Sequence, residues 1–253
     1  MLQLTKKLIK GESISLVNNL IYINNGKVET TTYAVPIPMD ELPNPDFDDL
    51  NFKNYFAPEF ALPIITSRGC YWGNCKFCSL HKSSKIYNQK SANLIAEDLG
   101  KLVKKYNTNI VLFFDTVMKP NNMLDMADEI IKKKINIYWT CVTKFESVFT
   151  KENSKKLYKS GCRMLEFEYE SCDKKTHKFM DTGIDLKTTE NYLKNTASAG
   201  IINTICVLYG LPGENFSDYV RTNDMIISKK ETIHSVITFT YNLTRDSILW
   251  IRY

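Results

Sequence analysis

From about residue 63 onward the chain alternates between two hydrophobic rhythms. Apolar runs of strand length are followed by stretches in which apolar residues recur every three or four positions. Residues 64–67 predict a first strand. Ile95, Leu99, Leu102, Val103 and Tyr106 then fall on one helical face. Residues 109–114 are a nearly continuous apolar run, as expected of a buried parallel strand. The same reading predicts helices over 124–134, 188–199 and 216–228. It adds a helix capped by Thr150 and ended by Gly161. Further strands are predicted over 135–142, 164–169, 201–209 and 235–241. Strand and helix in regular alternation predict an α/β fold, here a partial (β/α)6 TIM-like barrel with parallel strands. In such barrels the chemistry sits at the C-terminal ends of the strands.

The first 60 residues follow neither rhythm. Six of the eight prolines fall at or before residue 63. Residues 16–23 predict a short strand, and Asn24-Asn25-Gly26 a hairpin turn. Val35-Pro36-Ile37-Pro38 and Leu42-Pro43-Asn44-Pro45 are expected to be extended, because proline fixes φ and restrains the residue before it. Residues 1–60 therefore predict an N-terminal arm or linker, and 61–253 the barrel core.

Composition changes this picture little. The 253 residues are 43% hydrophobic and 24% charged, which is ordinary for a globular chain. The net charge of +5 comes mostly from lysine. No arginine-rich patch with interleaved aromatics accompanies it, so a solvated surface is expected and nucleic acid is not. No apolar run reaches the roughly 18 residues of a membrane span, so no membrane partner is expected. Seven cysteines and no secretion signal point to a reducing, cytoplasmic setting.

Three of those cysteines change the picture a great deal. Cys70, Cys75 and Cys78 lie within nine residues, directly after the first predicted strand. Clustered thiolates select zinc, Cu(I) or iron–sulfur clusters. Structural zinc and closed clusters want four ligands. The next cysteine is the distant Cys141. Three thiolates on a four-iron cube would leave one iron open for chemistry. The C-x4-C-x2-C run also occurs in plant-type ferredoxins, and a zinc site completed by His81 or a distant cysteine is a further alternative.

In Ser67-Arg68-Gly69-Cys70-Tyr71-Trp72-Gly73-Asn74-Cys75-Lys76-Phe77-Cys78 the chain resembles the cluster loop of radical S-adenosylmethionine (SAM) enzymes. That resemblance implies that Cys70, Cys75 and Cys78 hold a [4Fe–4S] cluster. It implies that SAM chelates the fourth iron through its amino and carboxylate groups. Phe77 occupies the family's aromatic position before the last cysteine. The family's usual spacing is C-x3-C-x2-C. The extra residue here lies in Tyr71-Trp72-Gly73-Asn74, where Gly73 and Asn74 tolerate a left-handed backbone. Tyr71 and Trp72 either shield the cluster, line a substrate groove or simply pack the loop.

Other segments resemble the cobalamin-binding branch of that family. The predicted hairpin and Glu41-Leu42-Pro43-Asn44-Pro45-Asp46 look like the connection from a cobalamin domain to the barrel. No Asp-x-His-x-x-Gly motif occurs, so cobalamin is not expected within this chain. Asp115, ending the second strand, stands where many members place a carboxylate for the SAM amino group. Glu168-Tyr169-Glu170-Ser171 looks like the branch's Gly-x-Glu-Ser segment, which makes Glu168, Glu170 and Ser171 expected SAM contacts. Strand alternation puts Glu166, Glu168 and Glu170 on one face, where bare carboxylates would repel. Met180-Asp181-Thr182-Gly183-Ile184 continues the likeness as a loop. Tyr209-Gly210-Leu211-Pro212-Gly213-Glu214 is similar to the family's turn near the adenosine, which points to Gly210 and Pro212. Cys141, Cys162, Cys172 and Cys206 are expected as small buried hydrophobes, with Cys141 and Cys172, near strand ends, as possible reaction partners.

The resemblance implies reductive cleavage of SAM, driven by an external flavodoxin- or ferredoxin-type electron donor, to start radical chemistry at a C–H bond. A small molecule or a peptide is the expected substrate. The catalytic residue acting on it is not readable. A cobalamin-linked methyltransferase or methylthiotransferase, and an inactive or structural metal-binding module, are the other expectations.

Overall fold

The computed structural model describes residues 2–80 and 86–251. It divides into two compact units, Met1–Ile37 and Pro38–Tyr253. The first contains helix α1 (Leu2–Ile9) and an antiparallel hairpin of β1 (Ile21–Asn24) and β2 (Lys27–Thr30). Asn25 and Gly26 carry φ of 48° and 75°, the left-handed pair that matches the twist of a tight hairpin. The strand predicted from residue 16 begins only at Ile21. On one face of the hairpin the Tyr22 hydroxyl donates to Glu29 at 2.6 Å.

The second unit starts at Pro38, whereas the sequence pattern placed residues 38–60 in the arm. Their packing explains the difference. Met39 is buried, and Phe47, Phe52 and Phe60 gather around Tyr106 with ring centroids 5.4–6.3 Å from it. The Tyr106 hydroxyl also accepts from the Phe47 amide at 2.8 Å. Lys90, buried and ion-paired to Asp98 at 2.6 Å, donates to the Leu42 carbonyl at 3.4 Å. The prolines make this stretch extended, and its aromatic residues fasten it.

Next come β3 (Ala61–Ile64), β4 (Ser67–Arg68), β5 (Asn88–Gln89) and α2 (Ala92–Tyr106). The alternation continues with β6 (Ile110–Met118), α3 (Pro120–Lys132), β7 (Tyr138–Thr143), α4 (Lys151–Lys159) and β8 (Cys162–Glu170). It ends with α5 (Lys174–Met180), α6 (Leu186–Ser198), β9 (Ile202–Tyr209), α7 (Phe216–Ser228), β10 (Ser235–Thr240) and α8 (Ile248–Ile251). Six strands form one parallel sheet in the order β10-β9-β8-β7-β6-β3. Successive strands are neighbours and the helical crossovers lie between them, so the sheet is an open TIM-like barrel. Helices α5 and α8 were not anticipated. Each is shorter than the two turns over which apolar periodicity becomes readable, and α5 owes its start to Asp173, which caps Thr176.

The core lies between the outer face of the sheet and the helices. Along β8, Leu165, Phe167 and Tyr169 are buried there, beside Phe145 and Phe149. The alternate residues Glu166, Glu168 and Glu170 are only half-buried. The apolar run of β6 is buried on one face only. Val111 and Phe113 join the core, while Phe114 is 62% exposed. Its inner face borders the open side of the barrel rather than a second layer of helices.

Candidate active site

Strand β3 ends at Ile64, and the chain enters the cysteine loop through a turn pinned by Asp115. That carboxylate is buried. It accepts from the Thr66 amide and hydroxyl at 2.9 Å each, from the Ser67 hydroxyl at 2.8 Å, and from the Ser67 amide. Burial pushes the Asp115 carboxyl above its ordinary range, against the pull of these donors. These hydrogen bonds hold the entry to the loop, so its geometry is that of a brace. The ribbon of β4 and β5 flanks the loop on leaving the turn.

Cys70, Cys75 and Cys78 are half-buried thiols. Within the loop the Cys78 amide donates to the Cys75 carbonyl at 3.1 Å, and the Leu80 amide donates to the Cys78 Sγ at 3.4 Å. Burial pushes the Cys75 thiol up to about 12, with Lys144 opposing and Glu168, Glu170 and Cys70 adding to the rise. The thiols therefore share an electrostatic neighbourhood with the carboxylates of β8. Among the described residues no three His, Cys, Asp or Glu side chains converge closely enough to hold one metal ion. Three corners of a cubane separate their thiolates more widely than a single ion does. Three soft thiols on one loop are the donor set such a cluster takes. His81, the alternative ligand, lies outside the described residues.

Phe77 joins the loop to a cavity of about 440 Å³. It lines this cavity together with Leu208, Phe239 and Tyr241, and Glu166, Glu168 and Glu170 line it too. Phe77 also packs on the small apolar cluster of Met180, Leu208 and Leu211. Strand alternation thus brings the three carboxylates to one face, as expected. They are not left bare. The Lys144 ammonium lies 3.9 Å from Glu168, and the Cys206 thiol donates to Glu166 at 3.1 Å. Burial and the neighbouring Glu168 push Glu170 up to about 8, although Lys144 opposes. Glu168 is raised as well, chiefly by burial. Glu170 has φ of 63°, and the register of β8 against β9 shifts between Glu168 and Glu170. This bulge falls where Glu168 and Glu170 line the cavity.

Comparison with known families agrees with this geometry. The Radical SAM superfamily profile matches residues 64–226. The chain belongs to the radical SAM superfamily. It is 27% identical over 228 residues to the uncharacterized methyltransferase PH0819 of Pyrococcus horikoshii, covering 87% of this chain and 49% of that protein. It is 21% identical over 158 residues to the anaerobic magnesium-protoporphyrin IX monomethyl ester cyclase of Cereibacter sphaeroides, covering 60% of this chain and 26% of the cyclase. The chain thus spans about half the length of the first relative and about a quarter of the second. Among solved structures it resembles the radical SAM methyltransferase TsrM of Kitasatospora setae, with tryptophan and a SAM analogue bound. The TM-score there is 0.78 at 15% identity, over 99% of this chain and 51% of TsrM. It resembles the cobalamin-dependent enzyme OxsB, with aqua-cobalamin and SAM bound, at a TM-score of 0.74 and 17% identity, over 99% of this chain and 37% of OxsB. At these identities the structural likeness speaks for the partial-barrel fold. Family membership supports a [4Fe–4S] cluster and SAM as the cofactors.

Within this radical SAM core the remaining expected residues are not all at the cavity. Ser171 is buried, its hydroxyl accepts from the Asp173 amide at 3.1 Å, and its carbonyl accepts from His177 Nε2 at 2.6 Å. It shapes the turn into α5. The Gly210 amide donates to Glu214 at 2.5 Å and the Leu211 amide to the same oxygen at 3.1 Å, so the turn after β9 is closed on itself. Pro212 lines a separate hollow of about 300 Å³ with Asp173, Asp218 and Arg221. The turn reaches Phe77 through Leu208 and Leu211 instead. Cys141 is buried in the outer-face core and Cys172 borders the helices, so neither is at the cavity; Cys206 is. Its position follows from the alternation Thr204, Cys206, Leu208 along β9.

Lys144 and His177 carry weight that sequence reasoning missed. A lysine two residues beyond the strand predicted over 135–142 was a readable signal for the first. His177 gave none, since Ser171 and Thr182 are near it in sequence and only the turns around α5 bring them to its ring. Its Nε2 donates to the Ser171 carbonyl and its Nδ1 lies 2.7 Å from the Thr182 hydroxyl. Burial lowers its pKa. Tyr71 donates to Glu146 at 2.6 Å, and Trp72 Nε1 donates to the Asp181 carbonyl at 2.8 Å, so both aromatics pack the loop. Among the described residues no helix is long and apolar enough to cross a membrane.

Proposed function

We propose that this chain is the catalytic core of a radical SAM enzyme that cleaves SAM reductively and starts radical chemistry at a substrate C–H bond. Cys70, Cys75 and Cys78 would hold the [4Fe–4S] cluster. The observation that carries the reading is Phe77. It sits between the second and third cysteines and walls the same cavity as Glu166, Glu168 and Glu170. When bound, the cluster and SAM supply an electron, a sulfonium to be cleaved and a 5′-deoxyadenosyl radical. The chain's own residues bind and shield. Glu168 and Glu170 offer carboxylates to cationic groups, Lys144 limits their net charge, and Phe77, Leu208, Phe239 and Tyr241 exclude water from the reacting centre. An external flavodoxin- or ferredoxin-type donor would deliver the electron. The cavity suits a small molecule or one side chain of a peptide.

Methyl transfer is the second reading. Two relatives are described as methyltransferases, and TsrM and OxsB are structures with cobalamin. Both share their barrel fold with this chain, which corresponds to about half of TsrM and somewhat over a third of OxsB.

Anaerobic reconstitution with iron and sulfide, followed by SAM and dithionite, tests both. About four irons per chain and 5′-deoxyadenosine are expected from the wild type, and neither from the Cys70/Cys75/Cys78→Ala triple variant. Methylated product or S-adenosylhomocysteine in place of 5′-deoxyadenosine, on adding cobalamin, would favour methyl transfer. Zinc alone, or iron with no SAM turnover, would sink the proposal.

A further inference from the structure

The enlarged cysteine loop has a receptor of its own. Between Cys70 and Cys75 the four residues Tyr71-Trp72-Gly73-Asn74 form an arch, with Gly73 at φ of 66° turning the chain. The arch sends Trp72 sideways to the segment after α5. There the indole Nε1 donates to the Asp181 carbonyl at 2.8 Å, and the Lys76 amide donates to the Met180 carbonyl at 2.8 Å. The ring lies against Gly183. A Cβ at that position would fall 2.3 Å from Cζ2, 2.4 Å from Cη2 and 2.8 Å from Cε2 of the indole. No side chain fits without moving the ring, and moving the ring breaks the bond to Asp181.

The receptor is itself fixed. His177 accepts from the Asp181 amide at 2.9 Å through its carbonyl, and its ring bridges the Thr182 hydroxyl and the Ser171 carbonyl. The arch is thereby registered to the end of β8, where Glu168 and Glu170 line the cavity. The indole also stands 5.6 Å from the Lys144 ammonium, which faces Glu168 at 3.9 Å. One side chain therefore touches both the segment that follows α5 and the cation that balances the cavity.

We propose that Trp72 is a positioning residue, keyed into a notch at Gly183, and that this key sets the placement of the Cys75 thiol in a loop one residue longer than the family's usual spacing. Gly183 serves the loop by lacking a side chain. The proposal rests on the cysteines being cluster ligands, but its first test does not need the cluster.

Four apo proteins decide it: wild type, Gly183→Ala, Trp72→Ala and the double variant. Each is melted, and each is treated with iodoacetamide under native conditions, with labelling at Cys75 and Cys172 read by peptide mass spectrometry. Gly183→Ala is expected to lower the melting temperature by about 5 °C or more. In the Trp72→Ala background the same change should cost less than half as much, the remainder being the left-handed backbone of residue 183. Alkylation of Cys75 should rise about tenfold in both single variants while Cys172 stays unchanged. Trp72→Phe, which keeps a ring but loses the N–H, should fall between wild type and Trp72→Ala. Additive melting shifts, or Cys75 labelling that moves no more than Cys172, would overturn the proposal. In reconstituted protein the midpoint potential of the cluster should shift in Gly183→Ala and Trp72→Ala alike. If the wild type builds no cluster, the proposed function fails, and the apo cycle still decides the notch.

Discussion

Glu170 concentrates the cost of building this cavity. Its carboxyl is pushed up to about 8 by burial and by Glu168 beside it. Between about pH 4.5 and pH 8 the unfolded chain releases this proton while the folded chain keeps it. The folded state then binds more protons, so its stability falls as pH rises through that window. Water in the open cavity screens part of the penalty, which leaves about 1–2 kcal/mol at pH 8. Glu170→Gln should therefore stabilise the apoprotein at pH 8 and leave it unchanged near pH 4.5. Thermal melts at both values read the difference. Equal shifts at the two pH values would mean that the effect is not ionisation. A neutral Glu170 at pH 7 is also a hydrogen-bond donor, and a cationic ligand entering the cavity would draw its proton off.

At the scale of elements, the brace at Asp115 separates loop building from ligand binding. Two amides and two hydroxyls of Thr66 and Ser67 converge on that carboxylate. In Asp115→Asn the amide oxygen can keep the three contacts of Oδ1, but the charge is lost and the nitrogen replaces Oδ2, so the Thr66 hydroxyl must turn to accept, a loss of about 1–3 kcal/mol. The apoprotein should show this as a lower urea midpoint without SAM or iron present. Unchanged apo stability with weakened SAM binding would restore the ligand role that the family resemblance implies for this position. The case also shows what a sequence can yield. Strands and helices with a clear period were legible, and the predicted 216–228 helix coincides with α7. The cysteine spacing and the alternation of Glu166, Glu168 and Glu170 were legible too. What was hidden is whatever depends on distant partners: Asp115 folding back on Thr66, and Lys144 between Trp72 and Glu168. None of these pairs lies within one element, so no local pattern announces it.

For the whole molecule, the extended stretch 38–60 decides where the barrel begins. Proline content made it read as an arm, because proline shows that a segment is neither helix nor inner strand, and says nothing about where its side chains go. Phe47, Phe52 and Phe60 close over Tyr106, Met39 is buried, and Lys90 ties the carbonyl of Leu42 to the ion pair with Asp98. Full burial of a large apolar side chain contributes about 1.5–3 kcal/mol, so four side chains covered in part amount to about 4–6 kcal/mol. A domain's whole stability is about 5–15 kcal/mol. A fragment of residues 38–253 should melt within about 2 °C of the full chain, since Met1–Ile37 is a compact unit of its own. A fragment of residues 61–253 should lose most of its stability, leaving α2 with an uncovered aromatic face at Tyr106. Circular dichroism melts of the two fragments compare them directly. Equal melting temperatures would return residues 38–60 to the status of a linker, and the barrel would then have to be stable with one edge of its helical layer bare.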